Sequence, residues 1–298
     1  MFFKKPEYAN ASTFTISTFL VIGLFHLLSL LAFTTYTWEG LVLLLVISLA
    51  TGSFGISFCY HRLLTHGSFK TNRFIKYLST ICAILALEGG PIFWVSTHRY
   101  HHKMSDRPTD PHSPRDGMVW AHMGWLMYEH PVLDTQQERG KIVSDLKQDP
   151  VICFLEAFNF PIVLLSLAIL YIAGYLYQGP EMGLSFFIWG GVLRTVYVWH
   201  VTWLINSATH KFGYQNYETR EDSTNHPLIA LFSYGEGWHN NPHGDQRSAC
   251  FWHRWFEFDL TYSLIFILEK VGLVHDVVKP SMKNPKVPPS QKLAPAAS

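Results

Sequence analysis

Four stretches of this chain, about residues 13–36, 40–60, 157–178 and 184–205, are long and apolar enough to cross a lipid bilayer. They fix the fold class as an all-α integral membrane protein with four transmembrane helices. The composition agrees. Charged residues make up 15% of the chain, well under the roughly 25% of soluble domains, and aromatics another 15%. A fifth apolar stretch, about 77–96, reads "YLSTICAILALEGGPIFWVS". Its Glu88-Gly89-Gly90-Pro91 run breaks a helix near the middle, so this segment is expected to be re-entrant or to lie in the interface.

Basic residues set the orientation. The connection near Thr35 to Gly40 and the connection "YQGPEMG" carry no Lys or Arg, whereas the N-terminus and the 61–76, 98–150 and 211–298 regions hold almost all of them. With four spans every basic loop falls on one side, which the positive-inside rule makes cytoplasmic, with both termini there. Arg194 is the exception. It sits within the fourth span and is expected to face the bundle interior. The N-terminus is polar and its following apolar stretch is long enough to span, so no cleavable signal is expected. The segment 279–298, rich in Pro, Lys, Ser and Ala, reads as disordered. A formal net charge of +1 gives no reason to expect nucleic acid as a partner. The four cysteines form no CxxC pair and read as buried, inert thiols.

The chain holds 16 histidines, and most are clustered. "HRLLTH" places His61 and His66 directly after the second span. Five residues apart, they stand about 140° apart on an ideal helix and converge only if that helix ends or bends between them. "HRYHH" places His98, His101 and His102 at i, i+3 and i+4, on one helix face. "GEGWHNNPH" supplies His239 and His243, and His210 follows the fourth span in "NSATHKFG". All lie at or just past the cytoplasmic span ends. Neutral imidazole suits Fe, Zn, Cu or Ni, and eight histidines with Asn206 as a polar partner exceed what one ion uses, so two neighbouring ions are implied. Asp106, Asp110 and Glu236 are close enough in sequence to fix imidazole tautomers from the outside. His26, His112, His122, His130, His200, His226, His253 and His275 read as packing or surface residues.

In that order, "HRLLTH", "HRYHHKMSD", "WAHMGW", "WLINSATHKFG" and "GEGWHNNPH" resemble the motifs of the membrane fatty acid desaturases, over about residues 40–275. The similarity is greatest to the delta-9 acyl-lipid and acyl-CoA enzymes of bacteria and cyanobacteria. The resemblance implies one desaturase domain, about 1–278, with a cytoplasmic helical cap and a bent acyl tunnel. It also implies two iron ions (Fe2+) held by His61, His66, His98, His101, His102, His210, His239 and His243, with Asn206 reaching a metal through water. The implied activity is O2-dependent insertion of a cis, delta-9 double bond. The substrate would be an acyl-lipid or an acyl-CoA. Electrons would come from a separate ferredoxin or b5-type cytochrome, in a bacterial cytoplasmic or thylakoid membrane. Trp94, Trp125, Trp203 and Trp238 are expected either in the tunnel wall or as interface anchors.

One position departs from the family pattern. Pro242 stands where the third box usually has a histidine. With Asn241 as N-cap, proline at the first helical position keeps the turn, and water, Asp245 or His253 is expected to fill the vacancy. The departure keeps two other readings in view, hydroxylation or acetylenation at the same site and a non-catalytic paralogue. A haem electron carrier, which needs single histidines facing each other within spans as His26 and His200 could, is the rival from another class.

Overall fold

The computed structural model describes residues 4–281. Among the described residues, four helices are long and apolar enough to cross a membrane: α1 (Ile16–Phe33), α2 (Trp38–Thr65), α5 (Asn159–Gln178) and α6 (Pro180–Ala208). Between the second and third lie α3 (Arg73–Ile84) and α4 (Pro91–Met104). Past α6 come the short α7 (Asn240–Gly244) and then α8 (Leu260–Lys270). A two-residue antiparallel ladder, Lys70–Thr71 with Val274–His275, ties the end of the chain to the segment after α2. The tail expected over 279–298 lies, from residue 282 onward, outside the described residues.

Large apolar side chains stand exposed along the spans, among them Leu20, Leu27, Leu165 and Leu176. Such a belt is stable only against another apolar phase. The inner faces pack around Phe58, Ile84, Val95, Ile188 and Trp199. Gly55 allows α2 and α3 to approach closely, since a Cβ there would lie 2.5 Å from the Ala83 backbone nitrogen.

Two features of the spans bear on the site. α2 continues past residue 60, and from Leu49 its turns widen to the i→i+5 pattern. The turn between α3 and α4 falls on 85–90, at the expected Glu88-Gly89-Gly90 break, with Leu87 and Gly89 at positive φ. Side chains from α6 hold that turn. The buried Arg194 guanidinium donates to the Leu85 carbonyl at 2.6 Å and to Gly190 at 3.1 Å, and the Trp199 indole donates to Leu87 at 3.0 Å. The four cysteines are free, with Cys59 and Cys250 buried.

Candidate metal centre

The first pair of histidines converges because the helix changes pitch. In an i→i+5 turn, residues five apart fall nearly above one another. The His66 amide donates to the His61 carbonyl at 3.2 Å, and the two rings sit 4.7 Å apart. The 140° separation on an ideal α-helix is thereby removed, and His66 closes the helix as its C-cap. The second cluster lies on α4, as its spacing predicts, but it does not converge on one point. His98 and His102 turn toward His61 and His66, whereas His101 turns toward His210, His239 and His243.

The result is two groups of four imidazoles. His61, His66, His98 and His102 form one, and His101, His210, His239 and His243 the other. Within each, one nitrogen per residue lies within 4.8 Å of all the others. Ligands around one ion, with metal–nitrogen bonds of about 2.0–2.1 Å, span at most roughly 4.2 Å, so only a small contraction is needed. The groups adjoin: the His102 and His243 rings are 4.5 Å apart.

Four of the eight rings carry a carboxylate at Nδ1. His61 Nδ1 pairs with Glu236 at 2.5 Å, His101 Nδ1 with Asp110 at 2.8 Å, and His210 Nδ1 with Asp106 at 2.9 Å. These are the three carboxylates the sequence nominates. A fourth, Glu221, lies 3.4 Å from His243 Nδ1. It was not expected, because it is more than twenty residues from that histidine and no box contains it. A carboxylate on Nδ1 holds the proton there and leaves Nε2 as a lone pair facing inward, the arrangement typical of metal-bound imidazole. Burial, then the neighbouring imidazoles, hold His66, His98, His101, His102 and His239 well below the usual histidine range, so they are neutral donors. For Glu236 and Glu221 burial works upward, but the adjacent His61 and His243, with Arg62 beside Glu236, bring both down to about 2. His61 Nε2, His66 Nε2 and His101 Nε2 are buried with no hydrogen-bond partner. Orphaned lone pairs at the centre of neutral imidazole clusters fit a pair of transition-metal ions and little else.

A family model for fatty acid desaturases matches residues 36–243. The chain belongs to the fatty acid desaturase family. Among curated relatives, an sn-1 stearoyl-lipid 9-desaturase of Anabaena variabilis is 40% identical over 88% of this chain and 93% of its own. An acyl-CoA 5-desaturase of Anemone leveillei is 39% identical over 88% of this chain and 79% of its own. An sn-2 palmitoyl-lipid 9-desaturase of Nostoc is 35% identical over 92% and 93%. The chain is therefore an oxidoreductase that desaturates fatty acyl groups.

Beside the first histidine group this desaturase has a cavity of about 840 Å³. Trp94, Trp125, Trp203 and Asn206 line it, with His98 at its metal end. Trp94 stacks on His98, ring centres 4.9 Å apart, and donates its indole N–H to Glu88 at 3.1 Å, while Thr202 donates to the other Glu88 oxygen at 2.8 Å. Trp238 departs from the expectation for a wall residue. Its ring is buried in a separate cluster with Ala230 and Phe251, and its indole donates to the Phe258 carbonyl.

The third box also differs in detail. Asn241 is not the N-cap of α7, and Pro242 is not its first residue. The helix begins at Asn240 with His239 before it. The Asn241 carboxamide is instead a buried hub, accepting from Asn216 and Asn225 and donating to Phe251 and Glu257. Pro242 still lies in the first turn, where a missing N–H costs nothing. Neither expected substitute reaches the centre. Asp245 accepts from Ser281, and His253 is held by Tyr217 and the Cys250 carbonyl.

Two histidine readings change as well. His112, expected as a packing or surface residue, is 3% exposed and packs on His101 with ring centres 4.2 Å apart and tilted by 31°; its Nδ1 has no partner, and it forms a further group with His101 and Asp110 whose ligand atoms lie within 4.8 Å of one another. Its place in the loop after α4 gave no periodic signal. His26 and His200 do meet, Nε2 to Nε2 at 3.1 Å, and His200 Nδ1 continues to His122 at 3.0 Å. Axial nitrogens on one haem iron stand roughly 4 Å apart, twice a metal–nitrogen bond, so this pair is a hydrogen bond between α1 and α6 and not a haem seat.

Proposed function

We propose that this desaturase inserts a cis double bond at the delta-9 position of a saturated acyl-lipid, using O2 and two irons. The single observation that carries the reading is the gathering of eight histidines from four separate segments into two adjoining groups of four beside a cavity of about 840 Å³. His61, His66, His98 and His102 would hold one iron, with Asn206 reaching it through water. His101, His210, His239 and His243 would hold the other. When bound, the irons supply the O2 chemistry that removes hydrogen from unactivated methylenes, for which no side chain has an acid-base handle. The overall change is balanced: –CH2–CH2–, O2, two electrons and two protons give –CH=CH– and two waters.

The protein's own contributions are positional. Asp106, Asp110, Glu221 and Glu236 hold the outer protons of the imidazoles. Trp94, pinned between His98 and Glu88, sets the wall against which the chain lies, and the apolar lining keeps water from the reacting carbons. We read residues 1–278 as one domain in a bacterial cytoplasmic or thylakoid membrane. Both termini and the metal centre would face the cytoplasm, the 85–90 break would turn a re-entrant pair back to that side, and a ferredoxin or b5-type cytochrome would supply electrons. The two relatives named as 9-desaturases act on lipid-bound chains, which favours that substrate over acyl-CoA. Expression in a desaturase-deficient bacterial host, with mass spectrometry of its lipids, tests this. Appearance of delta-9 monoenes is expected. Only hydroxylated chains, or none altered despite full iron loading, would overturn it.

A further inference from the structure

A second concavity, of about 530 Å³, is lined by His102 and His243 of the histidine groups and shares no lining residue with the acyl cavity. We propose that this groove is the docking surface for the enzyme's electron donor, a small acidic one-electron carrier protein. The inference rests on the desaturase reading above and adds the place where electrons enter.

The floor and the rim of the groove carry the argument. His102 and His243 form the floor, one from each histidine group, in rings 4.5 Å apart and tilted by 35°. A carrier seated there is separated from both groups by one layer of imidazole, a relation the acyl cavity does not offer. Lys103, Arg107 and Arg220 line the rim. All three are exposed, and none takes part in an ion pair among the described residues. Of the two carboxylates in the lining, Glu221 is committed to His243 and His210, which leaves Glu218 as the one exposed negative charge against three cations. Positive charge without a partner around a path to redox ions steers an acidic protein toward it.

The chain's own C-terminal segment fits poorly as the occupant. Ser281 donates to Asp245 at 2.7 and 2.8 Å, and Asp245 lies between the lining residues Gly244 and Gln246. Residues 282–298 carry Lys283, Lys286 and Lys292 and no acidic side chain, so their charge does not complement the three rim cations.

The test uses the full-length enzyme with a reduced plant-type [2Fe–2S] ferredoxin as donor. K103E/R107E/R220E is expected to raise the ferredoxin concentration for half-maximal rate by about 10-fold or more and to flatten its dependence on salt. Iron content should be unchanged. So should the single-turnover yield of double bonds after chemical reduction and removal of the reductant. R107E/R220E, which spares the residue next to His102, should shift the same constant in the same direction by less, and separates docking from damage to the centre. Unchanged ferredoxin kinetics in both variants would overturn the proposal. A rise in the substrate KM or weaker binding to anionic vesicles, with ferredoxin kinetics intact, would also overturn it and make the rim a headgroup surface. Failure of the wild-type enzyme itself to form double bonds after chemical reduction would strike instead at the desaturase reading.

Discussion

Arg62→Met should do more damage than any single histidine substitution, although Arg62 belongs to neither histidine group. The guanidinium is fully buried. It donates to Glu236 at 2.9 Å, to both Asp259 oxygens at 2.8 and 3.0 Å and to the Ala249 carbonyl at 2.8 Å, and it lies 3.8 Å over the Phe251 ring. Removing one partner of a buried ion pair costs about 3–5 kcal/mol, because the remaining charge stays uncompensated. Here two carboxylates are stranded. Asp259 also caps α8 by accepting from the Tyr262 amide at 2.9 Å. At about 2–4 °C per kcal/mol for a chain of this size, Tm in detergent should fall by about 10 °C. Glu236 holds His61 Nδ1, so iron affinity should fall about 10- to 100-fold with it. R62M/E236Q should regain part of the lost Tm, since one stranded charge is gone, yet none of the iron affinity. The checks are thermal unfolding with iron chelated and chelator competition with iron present. A single variant within about 2 °C of the wild type would refute the account of Arg62 as the tie between the first box, the third box and α8.

Three further outcomes follow from the same geometry. H98A and H210A lie in different groups, so each should lose one iron and keep the other, read by metal analysis; loss of both from either variant would mean that the groups are not independent sites. P242H should leave iron stoichiometry unchanged, because the second group already offers four nitrogens without it, whereas a rise in bound iron would show that Pro242 had left a site incomplete. Burial pushes the Glu88 carboxyl up to about 7. A carboxyl with a raised folded pKa favours folding fully below its unfolded value and loses that contribution as pH rises from about 4.5 through 7. E88Q retains partners for Trp94 and Thr202, so it should match the wild type at pH 4.5 and exceed it at pH 8 by on the order of 2–3 kcal/mol; equal stability at both would show a carboxyl that is not buried as drawn.

Hydropathy and spacing made the bundle and the ligand types legible, because both are short-range properties. Four apolar runs gave four helices, and the Glu88-Gly89-Gly90 signal gave a turn where one was expected. What escaped was set by three-dimensional detail. Spacing placed His98, His101 and His102 on one face but could not say that the face lies between two centres, which depends on where α2 and α6 end. His61 and His66 stand apart on an ideal α-helix, and the wider turns that align them carry no period that hydropathy or spacing reveals. Glu221 and His112 were missed for a related reason. Each acts on a histidine through a loop, and a loop has no period to read. Asn241 fits a local capping rule, but a buried amide network has the stronger claim on its side chain.

The division of labour between the boxes and the loops has a consequence for how the centre forms. Five of the eight imidazoles (His61, His66, His98, His101 and His102) stand on α2, on the residue that closes it, or on α4, whereas His210 and His239 and the four carboxylates come from the loop after α4 (Asp106, Asp110) and from the stretch between α6 and α7 (Glu221, Glu236). Asp106 accepts from His210 and also from the Asp222 amide, which ties the two loops to each other across the second group. The buried Nε2 atoms of His61, His66 and His101 have no hydrogen-bond partner among the described residues, so the loops close over a centre that favours metal-bound over metal-free protein. Metal removal should therefore loosen the two loops before the spans. Hydrogen exchange of the chelated protein should rise first at 105–113 and 216–243, with α2 and α6 protected. Uniform loss of protection would place the centre's stability in the bundle itself.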